Sequence, residues 1–201
     1  MKYITLFLPT LLIIVLDQAV KLAVHRYMDY GSIGEVPLIG NWFKLHYTLN
    51  PGMAFGLELG EPYGKVLLTT FRLVATIGFV YYLVYAARTG VHRGFLYCIA
   101  LVLGGAIGNL IDSIFYGAWL GNAPEGSPTP WLHGQVIDMF YLDIWQGIIP
   151  ESIPLIGGQW YSLWPIFNIA DASIFTGIVT ILIFNNRFFP KENQGVKNAA
   201  Y

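Results

Sequence analysis

The chain has 201 residues, of which 55% are hydrophobic and only 11% are charged, whereas a soluble domain carries about 25% charged residues. This composition is that of a membrane protein, and a formal net charge of −1 at pH 7 offers no basic surface for nucleic acid. The length is sufficient for one domain with a few spans.

Four apolar stretches are long enough to cross a bilayer, which requires about 20 residues. They are residues 3–24, 66–87, 95–115 and 164–184. The first lacks a small-residue cleavage site and carries Asp17 and Lys21, so we interpret it as a retained span and not as a signal peptide. The expected fold class is an α-helical integral membrane protein with four transmembrane helices. Residues 1–186 then form a single membrane-embedded domain, and residues 187–201 form a short cytoplasmic tail.

Positive charges predict the orientation of the chain in the membrane. No Lys or Arg occurs from residue 114 to residue 186. The loop between the second and third stretches carries Arg88 and Arg93, and the tail carries Arg187, Lys191 and Lys197. Both termini are therefore expected to be cytoplasmic, with the outer segments 30–65 and 117–163 on the other side.

In this orientation the ionisable residues within the apolar stretches all fall in the outer leaflet. They are Asp17, Lys21, Arg72, Asp112 and Asp171. Because an ionised Asp inside a bilayer costs about 2.5–3.5 kcal/mol, such residues predict a functional site, which here opens to the outer side. Asp17 and Lys21 alternatively form an i,i+4 pair that only neutralises itself. We expect Arg72 to extend to the outer surface and to take no part in chemistry.

The first outer segment contains a predicted strand. Residues 43–50 alternate between apolar and polar side chains, which is typical of a half-buried strand, and Asn50, Pro51 and Gly52 follow as a turn. We expect a small extracytoplasmic β element that rests on the membrane. The second outer segment is rich in Gly, Pro and Trp and becomes apolar around Asp138.

Small and polar residues combine in the third stretch. Gly105, Gly108, Asn109 and Asp112 occupy neighbouring helical positions, where the glycines permit close helix contact. The alternative interpretation is a tight helix seam with one polar clamp. In the fourth stretch Asn168 and Asp171 are three residues apart, so on a helix they share one face.

Asp138 is the best candidate partner for Asp171. Two neighbouring carboxylates share one proton, so that one acts as a base toward water while the other acts as an acid toward a carbonyl. Alternatively Asp138 faces water on a surface segment. Asp143 is the rival carboxylate, although Ile144 and Trp145 beside it favour an interfacial position.

Other hydrolytic designs lack their motifs. The sequence has no His-Glu-x-x-His, so no metal or other cofactor is expected. It has no Lys between Lys65 and Lys191 for a Ser/Lys dyad, and no Gly-x-Ser-x-Gly elbow.

Five motifs occur in order along the chain: Asp17-Gln18-x-x-Lys21, Asn50-x-Gly52-x-Ala54-Phe55-Gly56, Gly104-Gly105-Ala106-x-Gly108-Asn109-x-x-Asp112, Val136-Ile137-Asp138 and Phe167-Asn168-x-Ala170-Asp171-x-x-Ile174. The set resembles that of the lipoprotein signal peptidase (signal peptidase II) family. The resemblance implies a bacterial inner-membrane aspartyl protease that needs no metal. It implies removal of signal peptides from prolipoproteins by cleavage before a diacylglyceryl-modified Cys.

The resemblance also implies roles for particular residues. Asp138 and Asp171 match the catalytic pair. Positions that line or support the substrate site match Asp17, Lys21, Asn50, Gly52, Gly105, Gly108, Asn109, Asp112, Asn168 and Ala170. The expected partners are lipid-modified prolipoprotein signal peptides and membrane lipids, and the protein is expected to be monomeric.

Two features depart from the family. Ser113 stands where the family usually has Arg directly after the carboxylate of the third span, and residues 117–163 form a longer segment than the family leads us to expect. Two other classes of function remain open from the residues alone. One is a small proton-coupled transporter or channel that uses its intramembrane Asp residues, and the other is a non-enzymatic assembly factor.

Overall fold

The computed structural model describes residues 4–51, 63–153, 157–158 and 160–190. Gly52 and the tail beyond residue 190 lie outside this part of the chain. A 3-10 turn over Ile4–Phe7 leads into the first helix, and a second such turn covers Gly31–Gly34. The helices are α1 (Leu8–Tyr27), α2 (Gly64–Arg88), α3 (Arg93–Ile111), α4 (Gly117–Trp119), α5 (Ile169–Ile183) and α6 (Asn185–Phe188).

Several helices are apolar enough for a membrane. Within the described ranges, three are long enough to cross one: Ile4–Tyr27, Gly64–Arg88 and Arg93–Trp119. They match the first three predicted spans to within a few residues. The predicted fourth span is partly wrong, because α5 has only 15 residues and begins after residue 168. Phe167, just before it, pairs instead with Phe140 of the sheet.

The central helix of the bundle is α3, which packs against α1, α2 and α5. In the most apolar part of this helix 67% of the residues are buried, whereas the corresponding share is 22% for the first helix and 17% for α2. Large apolar side chains on the outer faces are exposed, as lipid contact requires, among them Leu12, Phe71, Ile77, Ile178 and Leu182. One hydrophobic core cluster joins the start of α3 to the end of α2 through Phe95, Leu96, Leu83 and Ala86.

A three-stranded antiparallel sheet lies at the opposite end of α3. Its strands β1 (Val36–Ile39), β2 (Phe43–Asn50) and β3 (Val136–Leu142) are ordered β1-β2-β3. The predicted strand over residues 43–50 is confirmed as β2. Strand β3 was missed, because it is buried on nearly all its positions and so shows no alternation of polar and apolar residues. A second, two-stranded sheet pairs β4 (Gln146–Ile148) with β5 (Trp160–Ser162).

The sheet is fixed to the helices through β3. Ile137 and Met139 pack with Val24 of α1 and with Tyr116, which belongs to a π-helical turn over Asp112–Tyr116 that continues α3. Such turns often occur at functional sites. This packing brings Asp138 to the place where α1 and α3 end and α5 begins.

Candidate active site

Asn168 lies between Asp138 and Asp171 and contacts both residues. The Asn168 amide nitrogen donates to Asp138 Oδ1 at 2.6 Å, and Asn168 Oδ1 accepts from the backbone N–H of Asp171 at 2.8 Å. Asn168 and Asp138 are fully buried, with 0% and 1% of their surface exposed. The structure therefore brings together the two carboxylates that the sequence predicted as partners.

Asn168 is the N-cap of α5. The sequence interpretation placed it on the face of the helix, and that part of the prediction is wrong. Its backbone is extended (φ −125°, ψ −178°), and Asp171 Oδ2 accepts from its N–H, which completes a capping box. The box satisfies two N–H groups at the start of the helix. It also holds Asp171 in the first turn, beside the amide that touches Asp138.

Two further amides hold the carboxylates from outside. Asn50, the last residue of β2, donates to Asp138 Oδ2 at 2.9 Å, and Asn109 of α3 donates to Asp171 Oδ1 at 2.8 Å. Thr48 of β2 lies opposite Asp138 in the sheet register. Because a carboxylate accepts about four hydrogen bonds, each oxygen keeps capacity for a water molecule or a shared proton.

Burial raises the pKa of Asp138 to about 7, and the charge of Asp171 contributes in the same direction. The amide donors of Asn50 and Asn168 and the charge of Lys21 oppose this rise but do not cancel it. Near neutral pH, Asp138 therefore takes up and releases a proton readily, as an acid–base catalyst must.

A fully buried ionic cluster lies beneath the carboxylates. Lys21 Nζ is 2.8 Å from Asp17 Oδ2 and 2.8 Å from Asp112 Oδ2, and it donates to Asn109 Oδ1 at 2.9 Å. Asp17 and Lys21 thus do not merely neutralise each other. They are linked through Asn109 to Asp171, and Asp112 Oδ2 accepts from the backbone N–H of Ile137, next to Asp138.

Gln18 and Tyr116 complete this cluster and were not predicted as site residues. The Gln18 amide nitrogen donates to Asp112 Oδ1 at 2.9 Å and to Asp17 Oδ2 at 3.1 Å, while the Tyr116 hydroxyl donates to Gln18 Oε1 at 2.8 Å. Gln18 follows Asp17 in the first motif, which was a usable signal. Tyr116 reaches the cluster through the π-helical turn, which no local pattern indicated.

The glycines of α3 form a helix seam that also positions the site. A Cβ on Gly105 would overlap the carbonyl oxygen of Ala170, and one on Gly108 would stand 2.6 Å from Asp17 Oδ2. Ala170 is fully buried, and its N–H donates to Asp17 Oδ1 at 2.9 Å. The absence of side chains on α3 therefore lets the first turn of α5 approach Asp17.

Arg72 does not extend to the outer surface, and that prediction is wrong. Its Nη1 donates to Ser113 Oγ at 3.1 Å, and Ser113 is fully buried. Asp143, the rival carboxylate, lies at the surface in an ion pair with Lys44, Nζ to Oδ2 2.7 Å. That pair lowers the pKa of the Asp143 carboxyl below its usual range.

Known proteins resemble the chain along most of its length. A family model described as signal peptidase (SPase) II matches residues 9–187. The lipoprotein signal peptidase of Amoebophilus asiaticus (strain 5a2) is 48% identical over 174 residues, which cover 86% of this chain and 74% of the relative. That of Chlorobium phaeobacteroides (strain BS1) is 39% identical over 186 residues, 92% of this chain and 98% of the relative.

Solved structures share the fold. Two structures of a bacterial membrane enzyme determined by the in meso method, at 1.9 Å and 2.3 Å resolution, superpose with TM-scores of 0.58 and 0.60. They are 24% and 23% identical to this chain. The alignments cover 89% and 94% of this chain, and 90% and 93% of the solved chains.

The family model extends from α1 to beyond the end of α5 and includes the segments that carry Asp138 and Asp171. The chain belongs to the signal peptidase II family of aspartic endopeptidases.

Proposed function

We propose that this protein removes signal peptides from prolipoproteins, with Asp138 and Asp171 as the catalytic pair. The observation that carries the proposal is Asn168, whose side-chain amide donates to Asp138 Oδ1 and whose backbone N–H donates to Asp171 Oδ2. Like charges so close cannot both ionise at low cost, so the pair holds one proton. That is the protonation state that an aspartic protease requires.

In the proposed mechanism Asp138, the more deeply buried carboxyl group, is the protonated partner and Asp171 is the base. Asp171 takes a proton from water as the water oxygen bonds to the scissile carbonyl carbon, and Asp138 gives its proton to the carbonyl oxygen. The tetrahedral intermediate then breaks its C–N bond as Asp171 gives its proton to the leaving nitrogen, and Asp138 takes back a proton from a hydroxyl of the intermediate. The products are a carboxylic acid at the end of the signal peptide and a free amino group on the lipid-modified Cys.

The proposed membrane arrangement follows from the positions of the polar groups. Residues 1–186 form one membrane-embedded domain with a tail over 187–201, and α5 serves as a fourth, shorter span. Both termini are cytoplasmic, and the site faces the outer side of the inner membrane. The acyl chains of the substrate remain among membrane lipids while its signal helix approaches laterally, and a single copy of the chain is sufficient.

A transporter or channel is not favoured. Such a protein needs polar groups through the full thickness of the membrane, whereas the buried ionic cluster here lies at one end of α1 and α3. The other end is occupied by the apolar cluster around Phe95 and Leu83.

Cleavage of a lipidated precursor tests the proposed function. The purified protein in detergent should cut a diacylglyceryl-modified prolipoprotein at the bond before the modified Cys, and mass spectrometry of both products identifies that bond. The same precursor without the lipid is the control and should be cut at least about tenfold more slowly, because binding energy from the acyl chains is then lost. Failure to cut the lipidated precursor, or cleavage at another bond, contradicts the proposal.

A further inference from the structure

Arg72 reaches the candidate catalytic pair through two hydrogen-bonded neighbours. Its guanidinium donates to Ser113 Oγ at 3.1 Å, and that hydroxyl donates to the backbone carbonyl of Asn109 at 2.9 Å. A hydroxyl has one proton to donate and can accept at the same time, so both contacts are satisfied. The amide of Asn109 in turn donates to Asp171.

Arg72 points toward α3 because it belongs to a polar stripe on α2. Lys65, Thr69, Arg72 and Thr76 follow one another at spacings of three and four residues, which places them on one helix face. Lys65, Thr69 and Thr76 are buried. Lys65 donates to the carbonyl of Pro51, and Thr69 donates to that of Leu132. This part of the helix face therefore contacts other segments of the protein and not lipid.

The surroundings of residue 113 have room for only a small side chain. Ser113 is fully buried, and its carbonyl accepts from the backbone N–H of Gly134 at 3.0 Å. A Cβ on Gly134 would overlap the carbonyl oxygen of Asp112. The loop that carries Leu132 and Gly134 therefore closes tightly over the π-helical turn, while Arg72 enters from α2 on another side.

The charge of Arg72 acts on three carboxylates, those of Asp171, Asp112 and Asp138. The other groups that face the catalytic pair or Arg72 come from the elements packed around them: Asp17 and Lys21 from α1 and Lys65 from α2. Lys21 is already shared by Asp17 and Asp112. A second cation close to the pair therefore favours the ionised form of both carboxyl groups.

We propose that Arg72 is a positioning residue of this active site, which orients Asp171 through Ser113 and Asn109 and places a positive charge beside the carboxylate pair. The inference rests on the proposed function of Asp138 and Asp171. It also accounts for Ser113: the guanidinium that the family usually has at this position of the third span is supplied here from α2.

The pH dependence of cleavage tests this role. With Arg72→Gln, both limbs of the kcat/KM profile should move to higher pH by about 0.5 to 1 unit, because a nearby positive charge that favours ionisation is lost. The turnover at the new optimum should fall about tenfold or more, because Asp171 is oriented less well. A role in folding alone lowers the amount of active protein but leaves the shape of the profile unchanged.

Two variants control for charge and position. Arg72→Lys keeps the positive charge, so both limbs of its kcat/KM profile should stay at the wild-type pH. It cannot reproduce the hydrogen-bond geometry of the guanidinium at Ser113. Arg88→Gln removes the same charge from the exposed end of the same helix, about 24 Å along its axis, and should leave the profile and the rate unchanged. Limbs that stay in place in Arg72→Gln, or that move equally in Arg88→Gln, overturn the inference.

Exchange of the two side chains provides a second test. Ser113→Arg alone places a second guanidinium in a buried position against the first, and should lose about a hundredfold in kcat/KM. The double variant Arg72→Ser/Ser113→Arg has one guanidinium where residues 72 and 113 meet. Its kcat/KM should be at least about tenfold higher than that of Ser113→Arg alone. A double variant no better than Ser113→Arg overturns the proposed exchange. Failure of the proposed function itself would appear separately, as cleavage by Asp138→Asn or Asp171→Asn.

Discussion

Asp138→Asn and Asp171→Asn each lower the turnover of a lipidated precursor by about a thousandfold or more, and the double variant is scarcely slower than either single one. The reason is that each substitution removes either the base or the shared proton, and residues that act as one unit are not additive. Steady-state cleavage in detergent, followed by mass spectrometry, measures all three variants.

The matched control is Asp143→Asn, which removes a carboxylate that pairs with Lys44 at the surface and should retain most activity. The fold should survive in the site variants, because Asn is nearly isosteric with Asp. In Asp138→Asn one of the two amide donors, Asn50 or Asn168, loses its acceptor, so a stability loss of about 1–3 kcal/mol is expected. Near wild-type cleavage by Asp171→Asn, or an indispensable Asp143, contradicts the assignment.

Lys21→Met destabilises the protein by about 3–5 kcal/mol, as expected when one partner of a buried ion pair is removed. The ammonium group of Lys21 contacts Asp17, Asp112 and Asn109 with no exposure to solvent. Without it, two carboxylates remain buried with no cation between them. Thermal unfolding in detergent, followed by intrinsic Trp fluorescence, provides the measurement.

Lys44→Met is the control for this loss. Lys44 also contacts two carboxylates, Asp143 and Glu35, but its side chain is partly exposed, so the loss should stay below about 1 kcal/mol. Addition of Asp112→Asn to Lys21→Met should recover part of the stability, because one uncompensated charge is removed. Equal losses for Lys21→Met and Lys44→Met would refute a special role of the buried cluster.

Local spacing predicted the parts of the site that lie within one element. The i,i+4 spacing of Asp17 and Lys21 and the i,i+3 spacing of Asn109 and Asp112 placed each pair on one helix face, and the alternation over residues 43–50 predicted β2. Asp138 stood out because a carboxylate within an apolar segment needs a partner. These residues are visible in sequence because each pattern has the period of its own helix or strand.

Local sequence patterns do not predict contacts between segments that are far apart in the chain. Arg72 and Ser113 are 41 residues apart, and only the packing of α2 on α3 shows that they meet. The pairing of β3 with β2 depends on side chains buried on both faces, which carry no alternation. The cap at Asn168 is different, because an Asn three residues before an Asp at the start of an apolar run is a recognised capping signal. The shared-face interpretation of Asn168 and Asp171 places Asn168 within the helix and not at its boundary.

The pH dependence of kcat/KM for a lipidated precursor tests most directly whether Asp138 and Asp171 work as one acid–base unit. Because burial and the charge of Asp171 raise the pKa of Asp138 to about 7, the shared proton is held below this pH and lost above it. The account predicts a bell-shaped profile whose alkaline limb lies near pH 7, with a second limb at lower pH where the pair takes up another proton, both limbs belonging to the pair. A rate that stays constant or rises from pH 6 to pH 9 would contradict it.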